Sequence, residues 1–193
     1  MDIAIVGTGF VGRVLGRALS HSGHAVIFGS RHPDQDDVSG NTTAQVSIIG
    51  AAIARADVVI LALPGAAVSE LTLEHGNALA EKLVIDATNQ VGQPASNSRA
   101  ALPSSVRYAR AFNTVSGEVM ENPVFPDGTA DMFFTAPETD SSTVEEVITG
   151  VGLQPVYVGP DREDLMDALF RLWIALAAGQ HRGRHLALRL LEG

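Results

Sequence analysis

Cysteine is missing from the 193 residues, and lysine nearly so, Lys82 being the single example. The first absence excludes disulfides, thiolate metal sites and cysteine nucleophiles together. The second removes common acid–base arrangements. Lys82 falls at the start of an expected strand, on the edge away from any ligand crevice, so it cannot serve as a positioned proton donor. Neither Tyr108 nor Tyr157 has a lysine four residues on, which excludes a Tyr-x-x-x-Lys pair. Positive charge is also scarce: thirteen basic residues, scattered and not in runs, give a net charge of −9. Such a field repels polyanions, so neither nucleic acid nor an anionic membrane is expected as a partner. Long apolar runs are lacking too. The longest, Ala56 to Val68, is interrupted by Asp57 and Pro64 and is too short to cross a bilayer. Met1 leads directly into an apolar strand with no signal-peptide pattern, and the plain expectation is a cytoplasmic protein. His181 and His185 stand four residues apart with no carboxylate or third histidine close by, so a solvated helix end is expected there and no metal.

What is present points to a globular α/β chain. Hydrophobic residues make up 46% and charged residues 18%, enough for a full core. Short, β-branched, apolar segments at 2–6, 25–29, 57–62, 83–86, 107–112, 131–135 and 154–158, with a weaker one at 45–48, read as buried parallel strands. Helical patterns fall between them at 10–21, 49–55, 65–80, 98–101, 116–121 and 140–150, the last started by Thr139-Asp140 and stopped by Gly150. This alternation predicts a Rossmann-type, doubly wound, mainly parallel sheet of about eight strands. Residues 1–160 form the expected nucleotide-binding domain, and 161–193 a small helical part packed on it. There the stripe Leu165, Leu169, Leu172, Trp173 and Leu176, with Met166, Phe170 and Ile174 beside it, is too wide for one sheet face. The expectation is a helix over 161–178, a second over 182–191, and a homodimer.

The chemistry starts at Gly7-Thr8-Gly9-Phe10-Val11-Gly12, which follows a strand and opens a helix, the context this spacing requires. Gly7 allows the tight turn, Gly9 lets the backbone approach a pyrophosphate, and Gly12 lets helix and strand pack closely. Helix-start amides then face the phosphates. The second strand ends in Gly29-Ser30-Arg31 where an NAD site usually carries a carboxylate. A hydroxyl and a guanidinium suit a 2′-phosphate, with Thr8 as a further donor, so NADP(H) is the expected cofactor. Other strand ends bring Leu63-Pro64, Asn89 and Asn113-Thr114-Val115 to the same edge. Pro64 is expected to turn its loop past the adenosine half, and Asn89 and Asn113 to lie near the nicotinamide. Either asparagine could equally be a loop residue bonding its own backbone.

These segments together resemble the NADPH:coenzyme F420 oxidoreductase family. The likeness rests on GTGFVG, on GSR at 29–31, on the ALP turn at 62–64, on AFNTVSGEVMENPVF from 111 and on LWIALAAGQHRGRHLALRLL from Leu172. It implies NADP contacts at Thr8, Gly9, Phe10, Val11, Ser30, Arg31 and Leu63. It also implies a deazaflavin pocket around Asn113, Thr114, Val115 and the C-terminal helices, with coenzyme F420 as co-substrate. Two positions depart from the family. Pro33-Asp34-Gln35-Asp36-Asp37 stands where members tend to have another basic residue, and Asn113 where members with a deazaflavin site tend to have histidine. Hydride exchange between stacked rings needs positioning more than proton transfer, so no catalytic acid or base is assigned. Three functions follow: hydride transfer between NADP(H) and a deazaflavin, NADPH-dependent reduction of a flavin or a small carbonyl or imine compound, and non-catalytic NADP(H) binding. In each, the partner is a small molecule.

Overall fold

Along the central strands, consecutive apolar residues serve two different cores. In β1 (Asp2–Val6), Ile3 and Ile5 point into one and Ala4 and Val6 into the other. In β4 (Val58–Leu61), Val58 and Ile60 are separated from Val59 and Leu61 in the same way. This is the two-residue side-chain period of a strand buried on both faces. The structure is a computed structural model and describes residues 1–36, 38 and 44–191. Asp37, one of the acidic residues after Arg31, lies outside the described residues.

The remaining strands of the sheet are β2 (Ala25–Ser30), β3 (Gln45–Ile48), β5 (Leu83–Asp86) and β6 (Arg107–Arg110). All six run parallel in the order β3-β2-β1-β4-β5-β6. The order reverses beside β1, and this opens a crevice at the carboxyl ends of the strands. Helices α2 (Ile49–Arg55) and α3 (Val68–Leu79) cover one face. Helices α1 (Phe10–His21), α5 (Gly117–Glu121) and α6 (Ser141–Gly150) cover the other. Helix α1 lies close to the sheet because Gly16 has no side chain: a Cβ there would stand 2.3 Å from the Phe28 ring.

Two sequence expectations are corrected. The main sheet has six strands, not about eight. Strands β9 (Asp131–Phe134) and β10 (Gln154–Tyr157) form a separate parallel pair, joined to β6 by one antiparallel bridge between Arg110 and Thr135. The sheet stops there because β6 ends at Arg110 and Phe112, at φ 65°, turns the chain away from the extended conformation a ladder needs. A small antiparallel pair, β7 (Val124–Phe125) with β8 (Gly128–Thr129), has no apolar alternation long enough to read. The second correction concerns 182–191, which is not a helix. Helix α7 (Glu163–Ile174) continues into a π turn at Ala175–Gly179, and then His181 and Gly183 adopt positive φ and break the pattern. The tail's backbone bonds outward instead. Ser116 Oγ donates to the Arg184 carbonyl at 2.7 Å, Trp173 Nε1 to that of Leu186 at 2.9 Å, and the Leu190 amide to Asp131. A short helix α4 (Ser96–Ala101) lies between β5 and β6, and single 3-10 turns at Gly65–Ala67 and Glu138–Asp140 lead into α3 and α6. Among the described residues no helix is long and apolar enough to cross a membrane.

Candidate active site

The three glycines of the β1–α1 turn have different reasons to be glycine. A Cβ on Gly7 would stand 2.3 Å from the Ala62 carbonyl oxygen, at φ +121°, and one on Gly12 would stand 2.1 Å from the Gly7 carbonyl oxygen. Those two are required by packing. Gly9 caps α1 with an ordinary extended backbone, and a Cβ there would meet nothing within 4 Å. Among the described residues no protein group demands glycine at this position, so the small residue keeps open a space in front of the helix. That space faces the first-turn amides, which have no intrahelical acceptors, and no side chain caps the helix.

Gly9, Ala62, Leu63 and Pro64 form the shared ridge between two neighbouring clefts. The first, about 340 Å³, is lined by Gly7, Thr8, Ser30, Arg31, His32, Asp36 and Pro64, with Glu70 and Glu74 of α3 on its outer wall. Arg31 is exposed at its rim. The Ser30 hydroxyl, buried at the end of β2, accepts the His32 amide at 2.8 Å and donates to the Asp36 carboxylate. Thr8 Oγ1 donates to the same Asp36 oxygen at 3.1 Å. Arg13 turns back to donate to the Thr8 carbonyl at 2.7 Å, which fixes the turn from the helix side.

The second cleft, about 590 Å³, is lined by Phe10, Val11, Asn89, Asn113, Val115, Ser116 and Gly117, and by Phe170, Trp173 and Ile174 of α7. Phe10 is half exposed and lies over Gly117, where a Cβ would stand 2.5 Å from its ring. Asn113 is 1% exposed, and both atoms of its amide are buried without a hydrogen-bond partner. A buried amide with no partner costs free energy, which makes Asn113, in the wall of this cleft, a candidate for contact with a ligand. Thr114 is placed differently from its neighbours: it does not line the cleft, and its hydroxyl is turned onto the Met132 sulfur at 3.8 Å.

Beneath Asn89 and Asn113 lies a buried polar network that the sequence reading missed. Asp86, fully buried, accepts from Tyr108 Oη at 2.7 Å, from Arg110 at 3.0 Å and from the Thr88 amide at 2.8 Å. Arg110, 2% exposed, also donates to Asn89 Oδ1 at 3.3 Å and lies 3.7 Å from Asp167 of α7. Asn89 Nδ2 in turn donates to the Asn113 carbonyl at 3.0 Å. Burial pushes the Tyr108 hydroxyl well above its usual pKa, and the adjacent Asp86 adds to the shift, so it stays a donor. A legible signal existed. Asp86 ends the run Leu83-Val84-Ile85, and Tyr108 and Arg110 are two residues apart on the next strand, so polar groups in buried strands share one face. Among the described residues, His181 and His185 belong to no group of three or more potential metal ligands. His185 stacks on Phe125 at 4.6 Å and contacts the Asn122 carbonyl at 3.2 Å.

Residues 2–90, which include the glycine turn, Ser30–Arg31 and Leu63–Pro64, match the model of a family described as NADP oxidoreductase, coenzyme F420-dependent. The match covers 89 of the 193 residues, the amino-terminal part that holds these segments. Solved structures agree on the fold over a longer stretch. A protein from Arthrobacter sp. FB24, provisionally described as an F420-dependent NADP reductase, is 21% identical, with a TM-score of 0.81 and 100% of both chains covered. A hypothetical protein from Sinorhizobium meliloti is 23% identical, with a TM-score of 0.73, covering 100% of this chain and 96% of the other. A reductive aminase from Aspergillus terreus, solved with NADPH and ethyl levulinate, is 22% identical with a TM-score of 0.69; 93% of this chain matches 61% of that one. The chain thus spans less than two thirds of the aminase's length.

Proposed function

We propose that this protein is an NADP(H)-dependent oxidoreductase whose hydride partner is a deazaflavin of the coenzyme F420 type. The carrying observation is Gly9: a glycine that no protein contact requires, at an uncapped helix start, between two connected clefts. An elongated ligand with a pyrophosphate in its middle fits that arrangement. Gly7 and Gly12 shape the turn, while Gly9, Phe10 and Val11 bring the helix-start amides to the pyrophosphate. Thr8, Ser30 and Arg31 hold the 2′-phosphate end. Leu63 and Pro64 flank the ridge, and Asn89 lies toward the nicotinamide end. When bound, the cofactor supplies or accepts the hydride.

The acceptor cleft supports the deazaflavin reading through its shape and its chemistry. Its walls carry four aromatic rings, Phe10, Phe112, Phe170 and Trp173, which suit a planar partner. The buried Asn113 amide offers one donor and one acceptor to orient it. Val115 adds an apolar edge, whereas Thr114 acts by holding the loop against Met132. Among the described residues no lysine, histidine or carboxylate lines this cleft, Arg184 being its charged side chain, an arrangement that suits a reaction carried by positioning. A second reading, reduction of a small imine or carbonyl compound, is favoured by the fold shared with the aminase.

The test is NADPH oxidation with coenzyme F420, FMN, FAD and a panel of small carbonyl and imine compounds. Activity with F420 supports the proposal; activity confined to the small compounds overturns it in favour of the second reading. Asn113→Ala should lower kcat with the acceptor by about tenfold or more, with the Kd for NADPH nearly unchanged.

A further inference from the structure

We propose that Asp36 sets the balance between NADP and NAD, by occupying the hydroxyls that a 2′-phosphate needs. This rests on the reading of Ser30 and Arg31 as the subsite for the 2′ group. The Asp36 carboxylate accepts from both Thr8 Oγ1 and Ser30 Oγ. Each hydroxyl has a single proton to give. Ser30 Oγ also accepts the His32 amide at 2.8 Å, so its lone pairs face the backbone while its proton is committed to Asp36. A phosphomonoester is an anion that wants those same two protons, and a carboxylate beside it repels it. Thr8 and Ser30 therefore serve a phosphate only when the Asp36 side chain withdraws from them.

The 2′-hydroxyl of NAD behaves in the opposite way. It is a donor, and a carboxylate at this position accepts from it, which is how acidic residues at the end of a second Rossmann strand recognise NAD. Here the carboxylate comes from six residues further on, yet it reaches the same place by bonding to the strand's last residue. Arg31 pulls the other way, as the one arginine or lysine lining this cleft among the described residues. Glu70 and Glu74 on the outer wall add to the negative field that a phosphate must meet. Two side chains of opposite charge on one short loop thus set the selectivity. Arg31 favours the phosphate, and Asp36 opposes it.

The experiment is a calorimetric titration of NADP⁺ and NAD⁺ into the wild-type chain, Asp36→Asn and Arg31→Ala. Asparagine keeps the size of Asp36, so the fold is preserved, but its neutral amide holds the two hydroxyls only about half as strongly as a carboxylate and releases them to a phosphate; circular dichroism checks the fold. Asp36→Asn should bind NADP⁺ about tenfold more tightly, from removal of one opposing charge, while NAD⁺ binds no better than to wild type. A wild-type chain that takes no NADP⁺ while Asp36→Asn takes it would support the role of Asp36 in its strongest form. An unchanged or weakened NADP⁺ affinity in Asp36→Asn overturns it. Arg31→Ala tests the subsite separately: it should lose roughly ten- to a hundredfold for NADP⁺ and little for NAD⁺. Equal losses for both cofactors in Arg31→Ala would overturn the reading of the rim itself, whatever Asp36→Asn does.

Discussion

At the scale of single residues, the glycine turn separates what the fold needs from what a ligand needs. Gly12→Ala would drive a methyl group into the Gly7 carbonyl, 2.1 Å away, so helix and strand must part. A loss of about 1–3 kcal/mol of stability is expected, the usual cost of overpacking. Gly9→Val points into open space and adopts a backbone conformation open to any residue. Its stability should match wild type, while NADPH affinity falls by about a hundredfold or more, because the branched side chain stands where the backbone must approach the pyrophosphate. Urea melts and cofactor titrations on both variants check the pair. A Gly9→Val protein with wild-type affinity would remove the pyrophosphate from this turn. The same contrast shows what the bare sequence can and cannot tell. The spacing of the three glycines marks the turn, but their division into two packing residues and one ligand-facing residue depends on the Ala62 carbonyl, fifty-five residues beyond Gly7.

At the scale of elements, the buried Asp86–Arg110 pair ties β5, β6 and α7 to the floor of the acceptor cleft. Its Coulomb attraction is offset by the cost of taking both charges out of water, but removing only one partner strands the other. Arg110→Gln leaves Asp86 fully buried without its cation and should cost about 3–5 kcal/mol in urea unfolding. The double variant Asp86→Asn with Arg110→Gln should recover much of that loss, and additive losses would show that the pair is not coupled. Asn89 also loses its Arg110 contact, so the single variant should impair acceptor turnover more than NADPH binding. The elements themselves were largely legible. Apolar β-branched runs located the strands within a residue or two, and the alternation gave the doubly wound order, because both depend on local pattern. The sheet count and the tail were not legible. Whether β9 joins β6 turns on one backbone angle at Phe112, and whether 182–191 coils turns on acceptors and donors supplied by Ser116, Trp173 and Asp131 from elsewhere in the chain. The network was legible only in part: Asp86, Tyr108 and Arg110 stand out as polar groups in apolar strands, but that Asp167 of α7 joins them is decided by folding.

At the scale of the whole molecule, the outer face of α7 carries a row of leucines that the protomer covers only in part. Leu165, Leu169, Leu172 and Leu176 recur at helical spacing, and none of them is buried; Leu172 is 46% exposed. Met166 and Asp167 face inward, and Phe170, Trp173 and Ile174 line the acceptor cleft, so the leucine stripe is left over after the protomer's own packing is complete. A self-complementary stripe of this kind suits a two-fold interface in which the same surface pairs with itself. We propose a homodimer built on it. Sedimentation should give a dimer for the wild type at micromolar concentration and a monomer for Leu169→Asp with Leu172→Asp, since each carboxylate would be buried unpaired at the seam. The consequence reaches the chemistry, because one face of α7 would carry the interface and the other the acceptor wall. One polar contact that holds helix α7 to the protomer is the Asp167 carboxylate accepting the Ala95 amide, at the start of α4, at 2.8 Å. Pairing with a partner would steady Phe170 and Trp173, while the glycine turn lies on a different element. The monomeric variant should therefore bind NADPH with nearly wild-type affinity and show a raised KM for the acceptor. A wild-type chain that sediments as a monomer would refute the interface, and a monomeric variant with unchanged acceptor kinetics would refute the coupling.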